Sequence, residues 1–373
     1  MSAARVTIEW KGETSIRREA ADIGVALVGA GFIGGVHADA WSAIDGAQVR
    51  VVVDQDPVRA ERLATRIGAV ASTSLREALD RPDVVAVDVC LPTAHHSRAI
   101  AEAATAGKHI LSEKPIALDL DEADRAIQTA TDADVIFMVA HVVRFWPEYK
   151  RLLAITREGT LGPLLALSCS RLIQTPDWSY ADWMRDPAVS RGVGPEVMIH
   201  DLDVTAALLG RPKSVSATGV QDHGGWSHLH TLLHYEQAVS VSLEAGWDAP
   251  DAQPFAAWFR AVFERGLVEY DSRRRPSLLV LEEAKTHKTA TDEHDALSTG
   301  GPWQFEVEGY VNEIRYFVAC VRGGDQPTLC PPDDARTALE LALAVNQAAT
   351  SGAEVSLAAA SSEPIPGSAE CAP

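Results

Sequence analysis

The chain has 373 residues, of which 46% are hydrophobic and 23% are charged, a balance that predicts a globular protein of two domains. Its formal net charge of -19 argues against nucleic acid or an anionic membrane surface as a partner. No apolar run approaches the ~20 residues of a membrane span, and we expect no signal peptide because residues 1–22 contain no apolar core segment. The five cysteines are odd in number and form no C-x-x-C pair, which favours a reducing cytoplasm.

The first strong pattern follows a polar stretch, residues 1–22, that we expect to form a loose arm. Residues 23–28 form an apolar run that predicts a strand buried on both faces. A G-x-G-x-x-G motif comes next, and in a strand–turn–helix unit it allows a tight turn, a close approach to a diphosphate and close packing of the helix. The residues that we expect to bind a dinucleotide here are Gly29, Gly31, Phe32, Ile33 and Gly34.

A second apolar run, residues 49–53, ends in Asp54, 20 residues after Gly34. A carboxylate at the end of the second strand can accept both ribose hydroxyls of an adenosine, and it repels a 2′-phosphate. Neither Gln55 nor the residue after it is Arg or Ser. The sequence therefore predicts NAD rather than NADP, with Asp54 and Gln55 at the adenosine end. The alternative is that Asp54 only caps the next helix.

Strands and alanine-rich helices alternate up to about residue 140, which predicts a doubly wound parallel sheet with helices on both faces. After the first strand, the predicted strands are 49–53, 84–90, 109–111 and 135–139, and the predicted helices are 57–67, 96–106 and 121–131. Ligands bind beyond the carboxyl ends of such strands. The motif glycines, Asp54, Pro92 and residues 113–115 all fall there.

The pattern changes after about residue 150. Two helices, 149–158 and 195–209, flank a strand at 164–170, and further strands are predicted at 214–220, 228–235, 239–247, 258–263, 266–270 and 277–281. Successive strands without helices between them predict a mainly antiparallel sheet. Two long helices, 305–322 and 333–350, close the fold, and the small, proline-containing tail 358–373 is predicted to be disordered.

The ordered set of motifs resembles the glucose–fructose oxidoreductase / inositol dehydrogenase / rhizopine-catabolism family of NAD(P)-dependent oxidoreductases, over about residues 23–357. The matching motifs are G-A-G-F-I-G, Asp54, Leu91-Pro92-Thr93 with His96, Glu113-Lys114-Pro115, Arg144-Phe145-x-Pro147, Gly194 with His200-Asp201-Leu202-Asp203, and Ser351-Gly352. The resemblance implies an NAD-binding Rossmann domain at 23–142 and an α+β domain at 143–357. It also implies that the last helices pack back on the Rossmann domain and that the open sheet joins a homodimer or homotetramer.

The resemblance further implies hydride transfer between the nicotinamide and a hydroxyl carbon of a sugar, nucleotide-sugar or cyclitol. Such a step needs a base for the hydroxyl proton and a donor for the developing charge on oxygen. Lys114 is the residue that matches the family's contact to the reacting hydroxyl. Pro115 favours extended backbone before it, which would aim Lys114 into the cleft, and the family often has a cis bond here. The alternative is a surface lysine beside a structural turn.

His200 is the predicted general base. If 195–209 is one helix, then Glu196, His200 and Asp203 share a face, and Glu196 can fix the tautomer of His200 and raise its basicity. The family usually has Asp where Glu196 stands, and the longer side chain changes the pocket. The alternative is that His200 is a satisfied core histidine.

Other residues are placed near the cofactor or substrate by the resemblance. Leu91, Pro92, Thr93, His96 and Glu113 are expected to line the diphosphate and the nicotinamide ribose, and His95 could take the role of His96. Arg144 is expected to bind the substrate or Glu113, or else to form an ion pair between the domains. Trp183 lies in a loop over the site with Trp178, Tyr180 and Arg185, which suits a sugar face or a loop packed by its own side chains.

Four histidines raise the question of a metal site: His223, His228, His230 and His234. The last three share one strand face by alternation. We expect no metal site because no carboxylate or cysteine completes a ligand spacing along the chain. We expect these histidines instead to line an interface or the substrate-facing side of the sheet. The alternatives to a dehydrogenase are a ligand sensor of the same fold and an NAD-dependent glycosidase. Retention of both Lys114 and His200 argues against the sensor.

Overall fold

A computed structural model of the chain describes residues 22–176, 179–222, 225–250, 252–253, 255–282 and 307–357. The predicted arm, except Asp22, and the predicted tail lie outside the described residues. Trp178 and His223 also lie outside them.

The first domain is built on a six-stranded sheet in which every neighbouring pair of strands is parallel. Its strands are β1 (Ile23–Val28), β2 (Ala47–Val53), β3 (Val70–Ser72), β4 (Ala86–Val89), β5 (His109–Glu113) and β6 (Phe137–Ala140). Their order is β3-β2-β1-β4-β5-β6, so the chain changes direction between β1 and β4. A crevice at such a switch point is where open α/β sheets bind ligands. The predicted doubly wound sheet is confirmed.

Helices cover both faces of this sheet. They are α1 (Phe32–Ser42), α2 (Pro57–Ile67), α3 (Leu75–Leu79), α4 (His96–Thr105) and α5 (Leu120–Asp132). The start of α2 shows the local reason, since the Asp56 side chain accepts from the backbone N–H groups of Val58 and Arg59, and Pro57 occupies the first turn. β3 and α3 were not predicted, because three and five residues are too short to show a hydrophobic period.

The second domain contains an eight-stranded sheet, preceded by α6 (Pro147–Glu158). The strands are β7 (Leu164–Gln174), β8 (Ser214–Asp222), β9 (Gly225–His234), β10 (Ser240–Ala249), β11 (Ala256–Phe263), β12 (Gly266–Asp271), β13 (Leu278–Glu282) and β14 (Val355–Ser356), in the order β13-β12-β11-β7-β10-β9-β8-β14. Only β7 and β10 pair in parallel among these strands. The predicted mainly antiparallel sheet is therefore confirmed.

One face of the second sheet is buried and the other, which we call the open face, is not. Along β9 the odd-numbered residues from Ser227 to Leu233 are buried, whereas the even-numbered ones are partly or fully exposed. Three helices complete the fold: α7 (Ile199–Leu209), α8 (Val307–Gly323) and α9 (Pro332–Ser351). In the described ranges, no helix is both long and apolar enough to cross a membrane.

The last helices pack against both sheets. Phe317 of α8 meets Trp41 of α1 edge to face, with ring centroids 6.4 Å apart. Ala335 and Leu339 of α9 are fully buried in the apolar core beside the first sheet. α9 also packs along β8 of the second sheet. A ligand at the switch point therefore has both domains around it.

Two local differences from the predicted elements affect the site. β7 runs to Gln174 rather than ending at residue 170, so it includes Arg171. The predicted helix 195–209 is divided into a π-helical turn, Gly194–Met198, and α7. A π turn bonds i to i+5, so it breaks the 3.6-residue spacing on which the predicted shared face depended.

Candidate active site

A cavity of about 460 Å³ lies between the switch point of the first sheet and the second domain. Both domains contribute to its wall. The predicted residues that line it are Gly29, Gly31, Phe32, Ile33, Asp54, Gln55, Leu91, Pro92, Glu113, Lys114, Trp183, Glu196 and His200. Four predicted residues do not line it: Gly34, Thr93, His96 and Arg144.

The glycine turn has the geometry that a diphosphate requires. Gly29 has φ +106°, and a Cβ there would lie 2.3 Å from the Cys90 carbonyl oxygen. A Cβ on Gly31 would meet nothing within 4 Å, so this backbone faces open space in the cavity wall. Gly34 lies behind the turn, where a Cβ would be 1.9 Å from the Gly29 oxygen, and this lets α1 pack closely. The turn at the α1 N-terminus therefore fits a dinucleotide.

Asp54 is buried at the end of β2, with both carboxylate oxygens bonded. Oδ2 accepts from the Ala30 N–H at 2.8 Å, and Oδ1 accepts from the Asp56 N–H at 2.9 Å and from Arg59 Nη2 at 2.7 Å. The Arg59 guanidinium in turn lies 3.7 Å from the ring centroid of Tyr180, which belongs to the second domain. Arg59 was missed because the sequence argument considered only the two residues directly after Asp54.

His96 holds two loops together. It is buried, and its ring nitrogens lie 2.6 Å from the Pro115 carbonyl oxygen and 2.7 Å from that of Leu91. Both ring nitrogens therefore position neighbouring backbone, and the cofactor contact of His96 stays a prediction. His95 lines the cavity in its place.

Glu113 is held beneath the cavity by a buried histidine. His37 lies between two carboxylates, with Nδ1 2.9 Å from Asp88 Oδ2 and Nε2 3.2 Å from Glu113 Oε1. Burial lowers the pKa of His37, but the carboxylate of Asp88 outweighs it and the pKa ends well above its ordinary value. Burial alone would raise the pKa of Glu113. The hydrogen bond from His37 and the positive charges of His37 and Lys114 outweigh burial, so the pKa of Glu113 is lowered. The protonated His37 thus keeps Glu113 ionised.

Lys114 follows Glu113 and enters the cavity across a cis peptide bond to Pro115. Its backbone N–H donates to Glu113 Oε2 at 3.0 Å. Its Nζ donates to the carbonyl oxygen of Glu196 at 2.9 Å, which joins the first domain to the π turn of the second. Lys114 is therefore part of the site, not a surface lysine.

His200 lines the cavity as a neutral imidazole. Its Nδ1 is buried and has no hydrogen-bond partner among the described residues. Burial lowers the pKa of His200 well below its ordinary value, and the nearby charges of Lys114 and Arg171 lower it further. The prediction that a carboxylate raises the basicity of His200 is therefore wrong, because the π turn directs that carboxylate elsewhere.

The carboxyl group in question, Glu196, bonds to Thr93. Thr93 Oγ1 donates to Glu196 Oε1 at 2.8 Å, so Thr93 positions a cavity residue and does not itself line the cavity, contrary to the prediction. Glu196 is buried, and burial raises its pKa to about 7 although Lys114 acts to lower it. Glu196 is thus a carboxyl group that gains and loses its proton near neutral pH.

Arg144 forms ion pairs, but its partners lie in the same predicted domain, 143–357, and not across the two domains. Its contact to the substrate stays a prediction. Its Nε and Nη2 donate to the two oxygens of Asp203 at 2.7 and 2.6 Å, and Nη1 donates to Asp334 at 2.7 Å. Arg171 instead contributes a buried guanidinium to the cavity wall, with Nε and Nη2 donating to Asp201 at 2.9 and 3.0 Å. The sequence argument missed Arg171 because it ended the strand at residue 170.

The remaining wall of the cavity includes several aromatic rings. Its aromatic members from beyond the nucleotide turn are Trp146, Tyr180, Trp183, Phe255 and Tyr310. Flat apolar rings beside a few polar groups suit a ligand that has both an apolar ring face and hydroxyls. Tyr180 and Trp183, which the sequence places over the predicted site, line this cavity.

The comparisons with known proteins agree with this geometry. Residues 23–141 match GFO_IDH_MocA, described as an oxidoreductase family with an NAD-binding Rossmann fold, and residues 149–269 match the C-terminal domain of the same family. The chain belongs to the GFO/IDH/MocA family. The predictions of an NAD(P)-dependent oxidoreductase that acts on CH–OH groups, and of an NAD-binding Rossmann domain, are confirmed at this level.

Relatives of this GFO/IDH/MocA protein cover different shares of it. An uncharacterized oxidoreductase, YrbE, of Bacillus subtilis (strain 168) is 32% identical over 49% of this chain, which spans about half (53%) of that relative. Inositol 2-dehydrogenase of Rhizobium meliloti (strain 1021) is 28% identical over 89% of this chain and 98% of its own. Among solved structures, GenD2 from gentamicin A biosynthesis, in complex with NAD, is 25% identical with a TM-score of 0.78 and covers 95% of this chain and 100% of its own.

Proposed function

We propose that the chain transfers a hydride between the nicotinamide of NAD and a hydroxyl carbon of a sugar, nucleotide-sugar or cyclitol. The observation that carries this proposal is the meeting of Lys114 and His200, from different domains, in one cavity with Gly31 and Asp54. A base and a hydrogen-bond donor are what an alcohol needs when it becomes a carbonyl.

His200 acts as the general base or acid, because its neutral imidazole can take the hydroxyl proton and return it in the reverse direction. Lys114 donates a hydrogen bond to the reacting oxygen and stabilises charge that develops there. Glu196, whose pKa is about 7, can hold or release a proton near neutral pH. It lies beside Lys114 and does not bond to His200. NAD, when bound, supplies the carbon that accepts or gives the hydride.

The cofactor is held by the residues of the first domain. Gly29 and Gly31 would cradle the diphosphate with Leu91 and Pro92 beside it, and Asp54 with Gln55 would face the adenosine ribose. Asp54 supports NAD over NADP because a buried carboxylate repels a 2′-phosphate. Hydride transfer in this cavity requires no metal ion.

The substrate class is supported by the named relatives and by the cavity wall. One relative is an inositol 2-dehydrogenase, and GenD2 belongs to gentamicin A biosynthesis. Trp183 and Phe255 offer ring faces, while Lys114, Glu196 and His200 offer polar partners. A cyclic polyol presents both kinds of surface.

The test is NAD reduction, followed at the nicotinamide absorbance, against inositols, free sugars, amino sugars and nucleotide sugars, with NADP in parallel. We expect turnover with at least one cyclic polyol and its loss in His200→Ala. Tight NAD binding without turnover on any member would contradict the proposal and favour the sensor. Release of an aglycone without net NADH would contradict it in favour of the glycosidase.

We also propose the assembly, the domain limits and the location that the sequence predicts. Val220 and Leu232 on the open face are 61% and 50% exposed, which supports a homodimer or homotetramer through this face, testable by sedimentation. The first sheet ends before the short 3₁₀ turn Val142–Phe145, which supports a domain boundary near residue 142. The described cysteines are buried and unpaired, which supports a reducing cytoplasm.

A further inference from the structure

The open face of the second sheet brings together two imidazoles and two carboxylates. His228 and His230 lie on β9, and Glu244 and Asp248 lie on the neighbouring strand β10. The antiparallel register places Glu244 directly opposite His230 and places Gly246 opposite His228. Because side chains two residues apart share a face, all four groups lie on the open face.

Gly246 leaves the space that the His228 ring occupies. A Cβ on Gly246 would lie 2.6 Å from His228 Nδ1 and 2.9 Å from Asp248 Oδ1. Because Gly246 has no Cβ, the ring of His228 can approach the carboxylates of both Glu244 and Asp248. Its Nδ1 is 2.9 Å from Asp248 Oδ1, and its Nε2 is 3.3 Å from Glu244 Oε1.

The single N–H group of a neutral His228 ring cannot donate to both neighbouring carboxylates. The carboxylate of Asp248 can only accept, so Nδ1 of His228 must carry a hydrogen and donate it. In a neutral imidazole the other nitrogen, Nε2, then has a lone pair, and this lone pair faces an oxygen of Glu244 that also only accepts. Nε2 of His230 is a further nitrogen near the same oxygen, at 3.9 Å. A metal ion between these three atoms would give each of them a partner.

We propose that His228, His230 and Glu244 bind a divalent transition-metal ion of the Zn²⁺ class. Their ligand atoms all lie within 4.8 Å of one another. Tetrahedral zinc with bonds of ~2.0–2.1 Å separates its ligands by about 3.3 Å, which the His228–Glu244 distance already matches. His230 is 61% exposed at its side chain and can close the remaining gap.

Asp248 positions His228 for the metal ion. Histidine ligands commonly donate their second ring N–H to a carboxylate, which fixes the tautomer and the ring orientation. The His228–Asp248 bond has this form and leaves Nε2 free for the ion. The expectation of no metal site rested on the spacing of residues along the chain, and the pairing of β9 with β10 removes that ground.

The proposed site is independent of the proposed dehydrogenase function. None of its four residues lines the active-site cavity, and all of them belong to one chain. One other described group could hold a metal, namely His37, Asp88 and Cys90. It is fully buried or nearly so, and both nitrogens of His37 already bond to carboxylates.

The test is titration of tag-free, chelator-treated full-length protein with Co²⁺, followed by displacement with Zn²⁺ in calorimetry. We expect one equivalent per chain, with the visible absorption of tetrahedral Co²⁺. His228→Ala and Glu244→Gln should each weaken binding by about 100-fold or more, and Asp248→Asn by about 10–100-fold. The matched control is His234→Ala on the same strand face, whose Nε2 bonds to Ser216 Oγ and which should bind as the wild type does.

Two results would overturn the proposal. Absence of stoichiometric Co²⁺ and Zn²⁺ binding by the wild type would mean that these side chains do not form a metal site. Undiminished binding in the double variant His228→Ala/His230→Ala would place the ion elsewhere, with the buried His37 group as the next candidate. Circular dichroism of each variant distinguishes loss of ligands from loss of fold.

Discussion

Two histidines of this protein each lie between two carboxylates, in opposite surroundings. His37 is fully buried beneath the active-site cavity, 2.9 Å from Asp88 and 3.2 Å from Glu113. His228 is partly exposed on the open face of the second sheet, 2.9 Å from Asp248 and 3.3 Å from Glu244. The histidine–carboxylate distances are nearly the same in the two groups, but the residues around the two groups differ.

The comparison shows that two properties decide the role of a histidine–carboxylate group: its exposure to solvent and the presence of a further side chain that can bind a metal ion. His37 has a pKa well above its ordinary value, so a proton connects its two carboxylates and keeps Glu113 ionised under Lys114. His228 is partly exposed in the single chain and lies beside a second imidazole, His230, with ring centroids 5.1 Å apart. A metal ion can reach this second group and gain an additional ligand there.

The largest expected effect is on turnover, which should depend on a cavity residue and not on a residue of the open face. His200→Ala should lower turnover by ~10²-fold or more while NAD affinity is unchanged, because it removes the base for the hydroxyl proton. His234→Ala on the open face is the control, with turnover expected to equal that of the wild type. Initial rates of NAD reduction measure both, and near-normal turnover in His200→Ala would remove this residue from the catalytic list.

The next effect compares the two histidines directly. His37→Gln should lower the free energy of unfolding by ~3–5 kcal/mol, because it leaves Asp88 and Glu113 buried without their shared cation. His228→Ala in metal-free protein should cost at most ~1 kcal/mol, since water solvates the carboxylates that remain. Urea denaturation of both variants measures this difference, and equal losses would contradict it.

A third effect concerns the proton on Glu196. Its pKa in the folded chain, about 7, lies above the ordinary 4.5, so the folded state binds the proton more tightly than the unfolded state does. Its contribution to stability is therefore present below pH 4.5 and is lost as the pH rises through 7. Relative to Glu196→Gln, the wild type should lose about 3 kcal/mol over this range.

Urea denaturation of wild type and Glu196→Gln at pH 4.5, 6 and 8 measures this loss. The comparison with the variant removes the contributions of other titrating groups, which both proteins share. A difference that stays constant with pH would show that Glu196 titrates at its ordinary value.

The smallest effect lies at the adenosine end of the cavity. Asp54→Ala should weaken NAD binding by roughly tenfold, because hydrogen bonds to the ribose are lost. It should weaken NADP binding much less, because the repulsion of the 2′-phosphate is lost as well and Arg59 is released from its ion pair. Fluorescence titration with both cofactors tests this, and equal losses would refute the ribose assignment.

Features written in a short stretch of sequence could be predicted. The glycine turn, Asp54 at the end of β2 and Lys114 after β5 each depend on a strand and the few residues after it. Parallel strands bring these stretches to one edge, so their meeting follows from the fold class. The sequence pattern therefore predicted that these stretches meet at one edge of the sheet.

Features that depend on distant partners could not be predicted. The partners of His37, Asp88 and Glu113, lie 51 and 76 positions further along the chain, and no local sequence pattern predicts either bond. The π turn before α7 moved Glu196 away from His200, because a helical period assumes uniform 3.6-residue turns. β7 continues to Gln174, but the successive polar residues Ser170-Arg171 break the alternation of apolar and polar residues, so no local pattern predicts Arg171.

The contact between Arg59 and Tyr180 ties two events to one side chain. Arg59 belongs to the cofactor domain and bonds to Asp54, whereas Tyr180 belongs to the second domain and covers Arg59 from the other side of the cavity. A dinucleotide that occupies the ribose position competes for Asp54, so it changes the partner on which Tyr180 rests. Binding of the cofactor and the position of Tyr180 are then thermodynamically linked through Arg59, so each changes the free energy of the other by the same amount.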